Sequence, residues 1–174
     1  MSWLATLQEA AEADWSGVTL PALPGAGLFA LSRDRWGRVL DGANPVSHEA
    51  GHPLLGVISG HVAAHGGTLA QLRPPIPVAA AFGLRRAAVP FAFALLWLIE
   101  TLWNVVRYIA DARSQALLLV VGGEHDRTEI LARRGALHLD TTLAGTVHAL
   151  GGLGALGVLG WLAWRWHDDR RYLD

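Results

Sequence analysis

The stretch from Ala87 to Ala110, AAVPFAFALLWLIETLWNVVRYIA, decides how the rest of the chain is read. Its only formal charges are Glu100 and Arg107, and Arg85-Arg86 and Asp111 lie just outside it. At about 1.5 Å per residue, a helix of this length crosses the roughly 30 Å hydrocarbon core of a bilayer. The composition agrees. The 174-residue chain is 52% hydrophobic and 17% charged, whereas an average soluble domain is about 25% charged. A soluble fold of this size would lack the charge to cover its surface. The expected class is therefore all-α: a helical integral membrane protein with about three transmembrane helices, an N-terminal arm and a polar loop region.

Towards the N-terminus, Met1 to Asp14 lacks the basic start and apolar core of a secretory signal and reads as a short amphipathic helix. Trp15 to Asn44 is punctuated by Gly and Pro and carries Arg33, Arg35 and Arg38. It reads as an irregular juxtamembrane arm, so residues 1–44 form the arm and 45–174 the membrane domain. Asn44-Pro45 has the form of an N-cap followed by Pro at the first helical position, which opens a helix running to Leu72. That helix is diluted by His61, His65 and Gly66-Gly67, so it should pack inside protein, and Pro53 predicts a kink. The expected spans are 45–72, 87–110 and 141–164, the last capped by Asp140. Gly145, Gly151, Gly152, Gly154, Gly157 and Gly160 in that last span predict close helix contact. A break at Gly66-Gly67 would instead give four spans.

Three spans put the start of the first helix and the 111–140 region on one side, with Arg73 to Arg86 and the C-terminus on the other. Arg33, Arg35, Arg38, Arg107, Arg113, Arg127, Arg133 and Arg134 then face Arg73, Arg85, Arg86, Arg165, Arg170 and Arg171. Counting Arg alone favours the first side as cytoplasmic, in a bacterial inner membrane. The net charge is −1, no Lys is present and no basic run occurs, which argues against a nucleic-acid partner. The absence of Cys excludes disulfides, thiolate nucleophiles and thiolate metal sites. A metal would have to be held by the eight His and the carboxylates.

His48-Glu49-Ala50-Gly51-His52 is an H-E-x-x-H sequence. Residues four apart share a helix face, so both imidazoles can reach one zinc ion. Glu49 is then placed to act as general base on a water whose acidity the metal raises. The plainer alternative is a pair of histidines that cap or hydrogen-bond at the membrane interface. A catalytic zinc takes three protein ligands and leaves one position open. On a continuous helix His61 and His65 lie too far along the axis and on the wrong face. The third ligand is therefore expected from Gly122-Gly123-Glu124-His125-Asp126, with His125 first, and Asp126 or Asp111 as alternatives. The same stretch also reads as an acidic helix N-terminus.

Glu100, Asn104, Arg107 and Asp111 follow i, i+4, i+7, i+11 spacing and form one polar stripe on the clearest span. Polar groups at that depth face protein or water. The stripe reads either as an interhelical hydrogen-bonding seam or as a support or transport surface.

HEAGHPLLG, GGTLAQL, YIADAR and GGEHD together resemble a family of small bacterial integral-membrane proteins to which no activity is assigned. The resemblance covers about Trp36 to Asp140. Where that family often has Trp after His-Asp and Leu-Pro-Leu before the Gly pair, this chain has Arg127 and Leu117-Leu118-Leu119. The resemblance implies a membrane location. More distantly, a membrane helix bearing HExxH is similar to the site-2 type of intramembrane zinc metalloproteases, although their second motif with Asn-Pro and Asp-Gly has no counterpart downstream of His52. The expectation is thus a membrane-embedded zinc-dependent hydrolase acting on a peptide or other amide. Its ligands would be His48, His52 and His125, with Glu49 as base. The rivals are a non-enzymatic metal-binding or interaction protein, and a transport or scaffold protein built on the Glu100 stripe.

Overall fold

A computed structural model describes residues 15, 17–19, 21–31, 46–117 and 126–171, with the backbone alone for 31, 60–64 and 126. Most of the described residues are helical, and no strand occurs among them. In the long apolar segments the helix satisfies the backbone polar groups internally. Two helical stretches, Ala88–Ala110 and Leu137–Arg171, are long and apolar enough to cross a membrane.

In chain order the helices are α1 (Ala22–Leu31), α2 (46–56), α3 (Gly60–Leu72), α4 (Pro75–Leu84), α5 (Ala88–Ala110), α6 (Asp126–Arg133) and α7 (Asp140–Arg171), the last entered through a 3-10 turn at Leu137–Leu139. The centre is an antiparallel pair, α5 against α7. Phe91 meets Trp161, with ring centroids 5.9 Å apart. Further along, the Trp103 indole N–H donates to the His148 carbonyl at 3.2 Å. Beyond the end of α5, Arg113 meets Asp140. One antiparallel register therefore runs the length of the pair. On α7 the buried positions Asp140, Ala144, Gly151, Ala155 and Leu162 advance in steps of four and seven, a single face. Leu143, Leu150, Leu153, Leu156 and Trp164 are exposed.

The glycines of α7 divide by what they face. A Cβ on Gly151 would come within 2.6 Å of the Trp103 indole nitrogen, and one on Gly154 within 3.4 Å of Ile99. At Gly145, Gly152, Gly157 and Gly160 it would meet none of the described residues within 4 Å. The expected close contact is thus confined to Gly151 and, less tightly, Gly154.

The expected single helix over 45–72 is corrected: it breaks at 57–59, and α2 folds back on α3. At the crossing, a Cβ on Gly51 would overlap the Gly66 carbonyl, so the two backbones touch. Gly66-Gly67, expected as a possible break, lies within α3 and forms the contact instead. Neither α2 nor the 13-residue α3 reaches the roughly 20 residues that a bilayer crossing needs.

Arg73-Pro74-Pro75 does not turn the chain around. Pro74 keeps helical dihedrals (φ −67°, ψ −49°), and the Arg73 N–H still donates to the Leu69 carbonyl at 3.0 Å. Gln71 of α3 pairs with Asn104 of α5, and Gly83 of α4 lies on Phe91 of α5. These two contacts share one antiparallel register, so α3 and α4 run on as a broken helix along α5. Arg73 consequently lies beside the C-terminal half of α5. The ten residues of α4, about 15 Å of helix, separate it from Arg85-Arg86. Its expected grouping with that pair is corrected.

The arm expected to be irregular contains a helix that enters the core. Val18, Ala22 and Ala26 are buried against Ala88, Ala92, Leu96, Ala155 and Leu162. Trp15 packs on Phe91 and Trp161 at 5.2 and 5.0 Å, and the Arg86 guanidinium lies over its ring. The Val18 N–H donates to Asp169 at 2.7 Å, and Arg165 donates to both the Trp15 carbonyl and Asp169. This clamp sits at the Arg85-Arg86 end of the bundle, opposite the end where the arm was expected. Arg33, Arg35 and Arg38 lie outside the described residues.

Candidate functional site

His48, Glu49 and His52 lie on α2, where one helical turn brings the two histidines to the same face. Their rings stand edge to face with centroids 4.9 Å apart. The His48 ring rests on Gly67 of α3, where a Cβ would overlap Cε1, Nδ1 and Nε2. All three residues are half-buried. By residue type the pair offers two of the three ligands that a catalytic zinc site uses, with a carboxylate one residue from His48.

Among the described residues, no third His, Asp or Glu joins the pair to make a group that could hold a metal. His65 shares α3 with Gly66 and Gly67 yet does not complete such a group. His61 is described by its backbone alone, and His125, the expected third ligand, lies outside the described residues. Asp126 opens α6, which matches the reading of its neighbourhood as an acidic helix start. The Schellman-type end of α6 explains Gly135, whose φ is +63°: Gly135 N–H donates to the Ala132 carbonyl and Ala136 N–H to that of Leu131. α6 packs against both α3 and α5.

The other alternative ligand, Asp111, is used to build a turn. Its carboxylate accepts from the Ser114 hydroxyl at 2.6 Å and from the N–H groups of Ala116 and Leu117 at 2.9 and 3.0 Å. Thr128 of α6 closes the same structure by donating to the Ala112 carbonyl, and Gln115 donates to the Thr128 hydroxyl. Gln115 is held at φ +49°, a left-handed conformation that costs a non-glycine residue about 1–2 kcal/mol. Both sides of the 118–125 segment are therefore tied to one another.

Sequence reasoning missed the ion pair that fixes this end to α7. Arg113 grips Asp140 through Nε at 2.9 and 2.8 Å and through a terminal nitrogen at 2.8 Å. Asp140 is 1% exposed and also accepts the Thr141 N–H; with helical dihedrals (φ −50°, ψ −51°) it is the first residue of the helix, not a cap preceding it. Hydrogen bonding to Asp140 raises the Arg113 pKa above its ordinary value. A buried carboxylate at a helix start was the available signal, but its partner 27 residues away was not readable. In the polar stripe, Asn104 is buried and accepts from Gln71, which makes this part of it an interhelical contact.

Comparison of the chain with protein-family models, with curated proteins and with solved structures gives no significant match.

Proposed function

We propose that the chain is an integral membrane protein with a zinc-dependent hydrolytic site at the end of the bundle where α5 finishes. The observation that carries this reading is the facing His48–His52 pair, one helical turn apart, with Glu49 between them in sequence. His48 and His52 hold the ion, and His125 completes the set. The support for His125 is indirect: the next residue opens α6, and α6 packs on the helix that seats His48. A bound zinc ion supplies a water acidified towards neutral pH. Glu49 takes the proton of the water that attacks the amide carbonyl and returns it to the leaving nitrogen. The lipid-facing surface is the exposed Leu143, Leu150, Leu153 and Leu156 face of α7. The third crossing is the broken helix α3–α4 in place of 45–72.

The test is metal content followed by turnover. Purified protein should hold about one zinc per chain, and His48→Ala or His52→Ala should remove it. Glu49→Gln should keep the zinc and slow cleavage of a quenched peptide library by about a hundred- to ten-thousand-fold. Unchanged metal content in His48→Ala rejects the site. Zinc that remains bound while Glu49→Gln cleaves as well as the parent rejects hydrolysis and leaves a metal-binding protein.

A further inference from the structure

Glycines that let two helices touch are common, but Gly67 differs from Gly51 and Gly66 in what occupies its missing side chain. The atoms nearest to a Cβ at Gly51 are the Gly66 carbonyl group and the Ala70 Cβ, and those nearest to one at Gly66 are backbone atoms of Gly51 and His52. At Gly67 the three nearest atoms all belong to the His48 imidazole. The ring thus fills the space that any other residue at 67 would claim. It does so while presenting itself edge to face to His52. Interiors are packed closely enough that one added methyl group must displace its neighbour.

We propose that Gly67 is a positioning residue for the histidine pair: it is the seat that admits the His48 ring and fixes its direction towards His52. α3 is then the back wall of the site. The role of Gly67 in metal affinity rests on the zinc reading above, whereas its role as a seat does not.

A double-mutant cycle separates the two. Gly67→Ala, His48→Ala and the double variant are melted in detergent, followed by circular dichroism. The expected result is that Gly67→Ala lowers the melting midpoint in the parent and has little effect once the ring is gone, since the obstacle is then absent. Gly51→Ala is the control: its cost should persist in the His48→Ala background because it strikes backbone. If Gly67→Ala alone does not fold, recovery of folding in the double variant supports the seat. An equal loss of midpoint in both backgrounds, or no recovery, overturns it. On the metal side, Gly67→Ala should weaken zinc binding at least tenfold and change the visible spectrum of the cobalt-substituted protein. Parent-like affinity and spectrum overturn the positioning role. A parent protein that binds no zinc overturns the zinc reading, and the melting cycle still decides the seat.

Discussion

Glycine has opposite meanings at neighbouring positions of α7, and the difference lies in what stands across from each residue. Trp103 covers Gly151 so closely that an added methyl group must push the indole away from the His148 carbonyl to which it donates. Gly151→Ala should therefore cost about 1–3 kcal/mol, the usual range for overpacking. Gly152, next in sequence, has none of the described residues within reach of a Cβ. Gly152→Ala should change stability by less than about 0.5 kcal/mol, as substitutions away from packed features do. Reversible denaturation of the two variants in the same detergent checks the contrast, and equal costs would contradict the α5–α7 register. The sequence offered six similar glycines in this span, and their common identity carried no information about which face met a partner. The His48–His52 pair was readable for the opposite reason: an i, i+4 spacing defines a shared face whatever the helix packs against. The seat of that pair was not readable, because Gly67 lies on another helix.

Arg113 in the turn after α5 and Asp140 at the start of α7 fasten the end of the α5–α7 pair, beyond the Trp103–His148 contact. The carboxylate is buried and the guanidinium half-exposed, so removing Arg113 leaves a desolvated charge with the Thr141 N–H as a remaining donor. Arg113→Ala should lower the melting midpoint and increase proteolysis between 111 and 117. Arg113→Lys should recover part of the loss, since it restores the charge without the two-pronged geometry. Asp140→Asn should cost less than Arg113→Ala, because the amide leaves no buried charge. Equal protease resistance in Arg113→Ala and the parent would show that the pair does not fasten this end. Among the elements themselves, α5 was readable almost to the residue, since an apolar run flanked by Arg85-Arg86 and Asp111 has few other solutions. The break at 57–59 was hidden: Val57 and Ile58 are apolar and continue the pattern, and only the contact of Gly51 with Gly66 requires the chain to fold back. Pro74-Pro75 lack N–H donors, yet the packing of α3 and α4 on α5 carries the helix direction through them.

The antiparallel registers of α7 and of α3–α4 against α5 define two ends of the bundle. One end holds Arg85, Arg86, Arg165 and the Trp15 clamp; the other holds Asp111, Arg113, Asp140 and, through Gly67, the His48 seat. If α5 and α7 cross a bilayer, these ends lie on opposite sides, and the candidate site opens on only one of them. The absence of cysteine makes this testable, because a single introduced thiol is then the sole target of a membrane-impermeant maleimide. Ser114 is exposed in the turn after α5, and His167 is exposed near the end of α7. In sealed vesicles, Ser114→Cys should react from one face and His167→Cys from the other, with both reacting after detergent is added. Arg73 lies near the middle of the α3–α4 helix and counts at neither end, so the labelling itself decides which face is cytoplasmic. Labelling of both thiols from one face would mean that α5 and α7 do not each cross once. The two-helix span would then have to be replaced by a bundle lying at the membrane surface.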